Sequence, residues 1–303
     1  MPDPAARFDD LPWLLSEEAD PHLEGVARAA ADLTVRRFGR EIHLFAPLYL
    51  SNECANVCLY CGFSAPVRMA RTTLTAERVG AEARHLAGVG FRHLLLVSGE
   101  HDRHVPVDYL ERCVAAAHAE APSVSIEVAP LEIPAYERMT AAGADGLVVY
   151  QETYDREAYA ALHPKGKKRD FDHRLEALDR GAAAGMRSLG LGVLLGLTPR
   201  WREDVLALVE HARRLQRTAW RSLLSVALPR LRPAAGAIAP RVTLTDRQYV
   251  RALCALRLAL PDAHITVSTR EAPRLRDGLM RLVATRMSAG SRTDPGGYTE
   301  AAR

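Results

Sequence analysis

The stretch IHLFAPLYLSNECANVCLYC, residues 42–61, joins a largely apolar run to three closely spaced cysteines. Residues 42–50 show little of the alternation of a half-buried strand. A run of this kind is typical of a strand buried on both faces, as in a parallel sheet. We therefore expect a parallel sheet whose first strand is followed by a cysteine-bearing loop.

Seven further β-rich apolar runs follow the first at regular spacing. The eight runs are Ile42–Leu50, His93–Ser98, Val124–Val128, Gly146–Tyr150, Ser188–Leu195, Leu223–Leu228, His264–Ser268 and Leu282–Ser288. Helical patterns lie between them, at about residues 75–88, 106–120, 134–142, 170–184, 201–217 and 245–258, with room for a short helix in 271–278. Eight strands alternating with helices over about 250 residues predict an α/β fold of the (β/α)8 barrel type. An open doubly wound sheet is the alternative, although no Gly-x-Gly-x-x-Gly follows the first strand.

Length and composition limit the class of protein. The chain has 303 residues, of which 48% are hydrophobic, and a formal net charge of +3. That charge gives no electrostatic case for binding nucleic acid or an anionic membrane. Five cysteines exclude a disulfide scaffold, and neither a transmembrane run nor a signal peptide is visible, so we expect a cytoplasmic protein. We divide it into a helical lead-in, residues 1–40, and a barrel, residues 41–303.

The cysteine triplet carries the most specific chemistry. Cys54, Cys58 and Cys61 form Cys-x3-Cys-x2-Cys just after the first predicted strand. Three thiolates are one ligand short of closing a tetrahedral zinc site or a [4Fe–4S] cluster. A cluster held in this way keeps one iron open to an external ligand. A zinc site completed by a distant histidine and a chance grouping are the other interpretations.

The triplet and the segments around it resemble the radical S-adenosylmethionine (SAM) enzymes, in particular their tyrosine-cleaving branch. The resemblance spans roughly residues 40–298. It continues through LLLVSGEH (94–101), VYQETY (149–154), PRLRP (229–233), STRE (268–271) and SAGSRTDPGGY (288–298). Within the branch, GKKRDF (166–171), RLE (174–176) and WRS (220–222) most resemble the 2-iminoacetate synthase family of thiamine biosynthesis. The hydrogenase maturases of the branch carry a C-terminal extension with further cysteines, whereas Cys113 and Cys254 lie inside predicted helices here.

The resemblance implies a reaction and its cofactors. A [4Fe–4S] cluster on the three cysteines would bind SAM at its fourth iron and cleave it to methionine and a 5′-deoxyadenosyl radical. Hydrogen abstraction from tyrosine would then break its Cα–Cβ bond, giving 2-iminoacetate and p-cresol. A sibling enzyme acting on tryptophan is the alternative, and a zinc-bound or inactive barrel that only binds a partner is a third hypothesis.

The resemblance also implies roles for individual residues. Those expected to contact SAM are Tyr60 beside the adenosyl group, Ser98, Gly99 and Glu100 at the methionine amino group, Arg174 at its carboxylate, and Glu127, Gly190 and Gly192. Arg270 is expected to hold the substrate carboxylate, with Ser288, Gln151, Glu152 and Tyr154 nearby. Packing is an equally good explanation for the two glycines of the fifth strand, and a surface position is the alternative for Arg174.

Three further features of the sequence are a lysine cluster, a pair of arginines and a pair of histidines. The only lysines, Lys165, Lys167 and Lys168, cluster in one segment that we expect to be a functional loop. Arg230 and Arg232 are weaker site candidates or form a structural ion pair. His101 and His104 are interpreted as loop histidines without a metal role.

The resemblance also implies partners and a length. A flavodoxin or ferredoxin would donate electrons, and a thiazole synthase would receive the imine. Members of the branch usually begin further upstream and continue further downstream. The chain therefore looks short at both ends, with little room after residue 288 for a full eighth helix.

Overall fold

The computed structural model of the protein describes residues 9–300, and its centre is a closed barrel of eight parallel strands in sequential order. The strands are β1 (His43–Ser51), β2 (His93–Ser98), β3 (Ser123–Glu127), β4 (Ala144–Val148), β5 (Ser188–Gly192), β6 (Leu223–Ala227), β7 (His264–Val267) and β8 (Arg286–Ser288). The barrel closes where β8 pairs with β1, from His43 opposite Arg286 to Phe45 opposite Ser288. The prediction of a (β/α)8 barrel is confirmed.

Helices follow most of the strands and cover the outside of the barrel. They are α1 (Leu11–Leu15), α2 (Leu23–Phe38), α3 (Ala76–Gly88), α4 (Val107–His118), α5 (Ile133–Ala141), α6 (Arg156–Leu162), α7 (Phe171–Leu175), α8 (Ala177–Ala183), α9 (Trp201–Thr218), α10 (Asp246–Ala259), α11 (Pro273–Met280) and α12 (Gly297–Glu300). Short 3-10 helices cover Glu17–His22 and Lys167–Arg169. Between residues 9 and 300, no helix is both long enough and apolar enough to cross a bilayer.

Local capping accounts for several helix ends. The hydroxyl of Thr245 accepts a hydrogen bond from the backbone N–H of Gln248, whose side chain in turn accepts from the Thr245 N–H, and this reciprocal capping box starts α10. Gly143 follows α5 with φ of 110°, a left-handed conformation that suits glycine. The segment predicted as one helix over 170–184 is two helices, because α7 ends at Leu175 and α8 begins at Ala177.

The segment that precedes the barrel packs against α10, on the side of the barrel. Both α1 and α2 lie along that helix. The fully buried guanidinium of Arg251, on α10, binds the carboxylate of Asp20 and donates to the carbonyl of Leu15. The first eight residues of the expected lead-in and the last three of the expected barrel lie outside the described residues.

The last barrel unit is shorter than the predicted strand at Leu282–Ser288. Strand β8 begins only at Arg286, because the residues just after α11 form a turn in which Val283 and Ala284 donate to the carbonyl of Leu279. After β8, the described residues contain only the one-turn helix α12. The buried Tyr298 of this turn donates from its hydroxyl to the carbonyl of Pro47 at 2.6 Å and thereby ties the turn to β1.

Candidate active site

The three cysteines of the triplet lie in the loop between β1 and α3, at the carboxyl end of the barrel. The side chain of Arg71 shapes this loop, because its guanidinium donates to the carbonyls of Asn52, Phe63, Ser64 and Val67. All three cysteines are free thiols. The side chain of Arg71 therefore holds the loop in shape through hydrogen bonds to the loop backbone, and no disulfide contributes to that shape.

The donor set of this loop fits an iron–sulfur cluster. Burial raises the pKa of the Cys58 thiol to about 12 and also raises the pKa of Cys61, although nearby Lys168 opposes both shifts. The backbone N–H of Phe63 donates to the Cys61 Sγ at 3.4 Å, a bond that favours the thiolate. Buried thiols of this kind ionise when a metal replaces the proton. Cys54, Cys58 and Cys61 could thus hold three irons of a cluster and leave the fourth without a protein ligand from this loop.

Asn56 connects the cysteine loop to two other segments of the site. Its amide nitrogen donates to the Glu100 carboxylate at 2.6 Å, and its amide oxygen accepts from the backbone N–H of Lys168 at 3.0 Å. The backbone N–H of Val57 also donates to the carbonyl of Lys165 at 2.8 Å. The lysine cluster thus lies directly against the cysteine loop.

Lys168 and Glu152 form a nearly buried ion pair beneath the cysteine loop. The Lys168 Nζ lies 2.7 Å from the Glu152 carboxylate, while the Arg174 guanidinium lies 3.8 Å from the same oxygen and donates to the carbonyl of Tyr150. Burial alone would raise the pKa of Glu152, but the two cations outweigh it and hold that pKa below its usual range. Glu152 also has φ of 71°, a left-handed conformation that is strained for a residue with a side chain.

Tyr60, a residue of the cysteine loop, contacts the segment that follows α6. Its hydroxyl lies 2.8 Å from Nε2 of His163, and the other ring nitrogen of His163 lies 2.8 Å from the carbonyl of Tyr159. Burial lowers the pKa of His163 to about 4, and Lys168 adds to this shift. A neutral imidazole therefore holds the Tyr60 ring in place near the cysteines.

Glu127, the last residue of β3, and Arg270, shortly after β7, both lie at the mouth of the barrel. Burial raises the pKa of Glu127, and the nearby Glu152 raises it further, while Arg270 opposes both effects. Arg270 is exposed, and within residues 9–300 its guanidinium forms no ion pair. The hydroxyl of Ser288 accepts a hydrogen bond from the backbone N–H of Thr269 and so fixes the loop that carries Arg270. This arrangement leaves one cation available to a ligand carboxylate.

The remaining predicted residues lie at the same end of the barrel, with differing local partners. The Oγ of Ser98 is buried and has no hydrogen-bond partner in the described structure, so it is free for a ligand. Gln151 is buried and donates to the carbonyl of Phe171 at 3.3 Å. A Cβ at Gly192 would lie 2.6 Å from the carbonyl oxygen of Ala227. Packing therefore accounts for this glycine, and its contact with SAM stays a prediction.

Two groups of predicted residues form ion pairs or hydrogen bonds away from the cysteine loop. Arg230 and Arg232 both bind the carboxylate of Glu271, which is 3% exposed, so the ion-pair interpretation describes them. The hydroxyl of Tyr154 lies 2.8 Å from Nδ1 of His211 on α9 and does not reach the cysteine loop.

Three residues that shape the site were not predicted from the sequence: Asn56, His163 and Glu271. Asn56 lies inside the cysteine triplet and Glu271 follows Arg270, but no spacing marks a role for these single polar residues, and only the tertiary contacts show what each one binds. A stronger signal existed for Lys168, since the lysine cluster marked its segment.

Comparison with known proteins identifies the family of the chain. Residues 48–209 match the radical SAM superfamily, and residues 227–301 match the biotin and thiamin synthesis associated domain. The 2-iminoacetate synthase of Escherichia coli K12 is 44% identical over 96% of this chain and 78% of its own length.

Solved structures of other proteins have the same fold. Two structures of the [FeFe]-hydrogenase maturase HydG, one from Carboxydothermus hydrogenoformans, superpose with a TM-score of 0.89 at 32% identity over 95% and 96% of this chain. The chain spans 65% and 68% of those two HydG chains. Methylornithine synthase, at 24% identity and a TM-score of 0.78, shares the fold. The chain belongs to the radical SAM superfamily and, within it, to the carbon–carbon lyases of the 2-iminoacetate synthase family.

Proposed function

We propose that this chain cleaves the Cα–Cβ bond of L-tyrosine to 2-iminoacetate and p-cresol, for thiazole formation in thiamine biosynthesis. The observation that carries this proposal is the 44% identity to 2-iminoacetate synthase over 96% of the chain. The reaction consumes tyrosine, SAM, two electrons and one proton. It yields 2-iminoacetate, p-cresol, methionine and 5′-deoxyadenosine, so that atoms and charge balance.

Three cysteines and the groups around them are proposed to hold the cofactors. Cys54, Cys58 and Cys61 are the ligands of a [4Fe–4S] cluster, which together with SAM supplies one-electron reduction and hydrogen-atom abstraction when bound. The backbone carbonyls of Ser98–Glu100 would accept hydrogen bonds from the SAM amino group; the contact of Glu100 with Asn56 of the cysteine loop supports this role. A planar guanidinium such as that of Arg174 suits a carboxylate, and the side chain is nearly buried near the cluster loop.

Substrate binding is proposed for the mouth of the barrel. Arg270 would hold the tyrosine carboxylate, since it is exposed and forms no ion pair among the described residues. Ser288 would position the Arg270 loop through its hydrogen bond to Thr269, and Glu127, whose pKa is raised by burial, would lie nearby. Glu152, which binds Lys168, and its neighbour Gln151 would lie beside the bound substrate.

An anaerobic assay tests this function. Reconstituted protein is incubated with SAM, dithionite and either tyrosine or tryptophan, and the products are separated by chromatography. We expect p-cresol and 5′-deoxyadenosine in equal amounts from tyrosine. Turnover of tryptophan without p-cresol from tyrosine would instead assign the chain to the tryptophan-cleaving alternative. Colourless protein that holds zinc and takes up no iron would contradict both.

Partners are proposed from the chemistry of the reaction. A low-potential flavodoxin or ferredoxin would supply the electrons, and a thiazole synthase would receive the unstable imine. We place the reaction in the cytoplasm, where thiols stay reduced, because all five cysteines are free. Replacing dithionite by a reduced flavodoxin in the same assay checks the donor, and p-cresol formation is the expected result.

A further inference from the structure

We propose that Glu53, His101 and His104 form a second metal site, suited to a divalent transition metal such as zinc. One ligand atom from each of the three side chains lies within 4.8 Å of the others. Two imidazoles and a carboxylate form a donor set that zinc accepts, with the remaining coordination position left to water. This set is distinct from the thiolates of the cysteine loop, and it does not depend on the proposed reaction.

The backbone holds two of the three residues in register. Glu53 directly precedes Cys54, and His101 directly follows Glu100. The two segments contact each other closely, because the N–H of Ala55 donates to the carbonyl of Glu100 at 2.8 Å. A Cβ at Gly99 would lie only 2.2 Å from the carbonyl oxygen of Glu53, so that only glycine permits this approach. The Glu53 and His101 side chains therefore leave the same junction.

A turn brings the third ligand to this junction. The backbone N–H groups of His104 and Val105 donate to the carbonyl of His101, at 3.1 and 2.8 Å. The two imidazole rings then meet edge to face, with centroids 4.6 Å apart. His104 is exposed, which gives an ion a path from solvent.

Within residues 9–300, no hydrogen bond or ion pair engages the side chains of Glu53, His101 and His104. Nδ1 of His101 is buried and has no hydrogen-bond partner in the described structure. The adjacent carboxylate of Asp102, by contrast, is paired with Lys167 at 2.7 Å. A buried polar atom without a partner is unfavourable, and a metal ion coordinated by Nδ1 of His101 would relieve that penalty. The ion would also tie the segment before the first cysteine to the segment after β2.

Zinc binding by the cluster-loaded enzyme tests the proposal. Anaerobically reconstituted protein is equilibrated with zinc, freed of excess metal and analysed for iron and zinc per chain. We expect one zinc per chain with no loss of iron. We also expect at least tenfold weaker zinc binding in Glu53→Gln and in His104→Ala. The first change is isosteric and the second is at an exposed side chain, so both variants should keep the iron content of the parent. His85→Ala, at a half-exposed histidine of α3, is the matched control and should bind zinc like the parent.

X-ray absorption at the zinc edge identifies the ligands. Nitrogen and oxygen neighbours at about 2.0–2.2 Å support the site, whereas sulfur neighbours at about 2.3 Å would mean that zinc has entered the cysteine loop and would overturn it. Absence of zinc from the parent protein, or equal zinc in the parent and in His104→Ala, would also overturn the proposal. None of these readouts depends on tyrosine cleavage.

Discussion

The ammonium group of Lys168 lies 2.7 Å from the carboxylate of Glu152, and the two side chains are only 15% and 11% exposed. Its neighbour Lys167 makes an ion pair of the same length with Asp102, but there the side chains are 69% and 74% exposed. Adjacent lysines of one cluster thus serve two purposes. One neutralises a buried carboxylate beside the cysteine loop, and the other stays in solvent.

This difference predicts unequal effects of removing the two lysines. Lys168→Met should lower the free energy of unfolding by about 3–5 kcal/mol, because Glu152 then stays buried with the more distant Arg174 as its cationic partner. Lys167→Met should cost about 1 kcal/mol or less, since exposed ion pairs are weak. Denaturant unfolding of both variants measures the difference. Equal losses would contradict the assignment of Lys168 to the interior.

Cluster binding should depend on the triplet and not on the other cysteines. Cys58→Ala should lose the iron and the brown colour on reconstitution and should cleave no SAM, because two thiolates cannot hold the cluster in place. Cys254→Ala is the control, since its thiol is buried within α10 and distant from the loop in the chain. Iron analysis and detection of 5′-deoxyadenosine report both results. Full iron content in Cys58→Ala would disprove the ligand assignment.

Arg270→Ala should keep the cluster and lose affinity for tyrosine. Loss of a charge-assisted bond of about 1.5–3 kcal/mol corresponds to a rise in KM of roughly tenfold to a hundredfold. Arg274→Ala, at an exposed position on α11, is the matched control and should behave like the parent. Initial rates over a range of tyrosine concentrations separate KM from kcat. An unchanged KM in Arg270→Ala would refute its role at the substrate carboxylate.

His211 should make the protein less stable in acid. Burial lowers its pKa from 6.5 to about 4, and Arg214 adds to the shift. Because the unfolded chain binds the proton more readily, the stability from neutral His211 is complete above pH 6.5 and is lost as the pH falls towards 4. The loss should approach about 3 kcal/mol.

Unfolding of the parent and of His211→Gln between pH 8 and pH 4 checks this. The parent should be more stable at pH 8, where its hydrogen bond to Tyr154 is intact. The difference between the two proteins should shrink as the pH falls. A difference that is constant with pH would show that His211 does not titrate in this way.

Much of the fold was predictable because its signals are local. A short apolar run such as His93–Ser98 is typical of a strand buried on both faces in a parallel sheet, and the predicted bounds of this strand match β2. The capping role of Thr245 can be predicted from residues 245–248 alone. Predictions were wrong where short-range signals were weak, as at α6, which was missed, and at the start of β8.

The sequence by itself determined the barrel, the cysteine triplet and the family, because periodicity and close spacing are properties of neighbouring residues. Only the tertiary structure decided which polar groups meet. Lys168 neutralises Glu152, while Glu271 binds Arg230 and Arg232, and Arg270 forms no ion pair in the described part of the chain. It also brings Glu53 together with His101 and His104. These encounters join loops far apart in the chain, and the parallel strands of a closed barrel place all such loops at the same end.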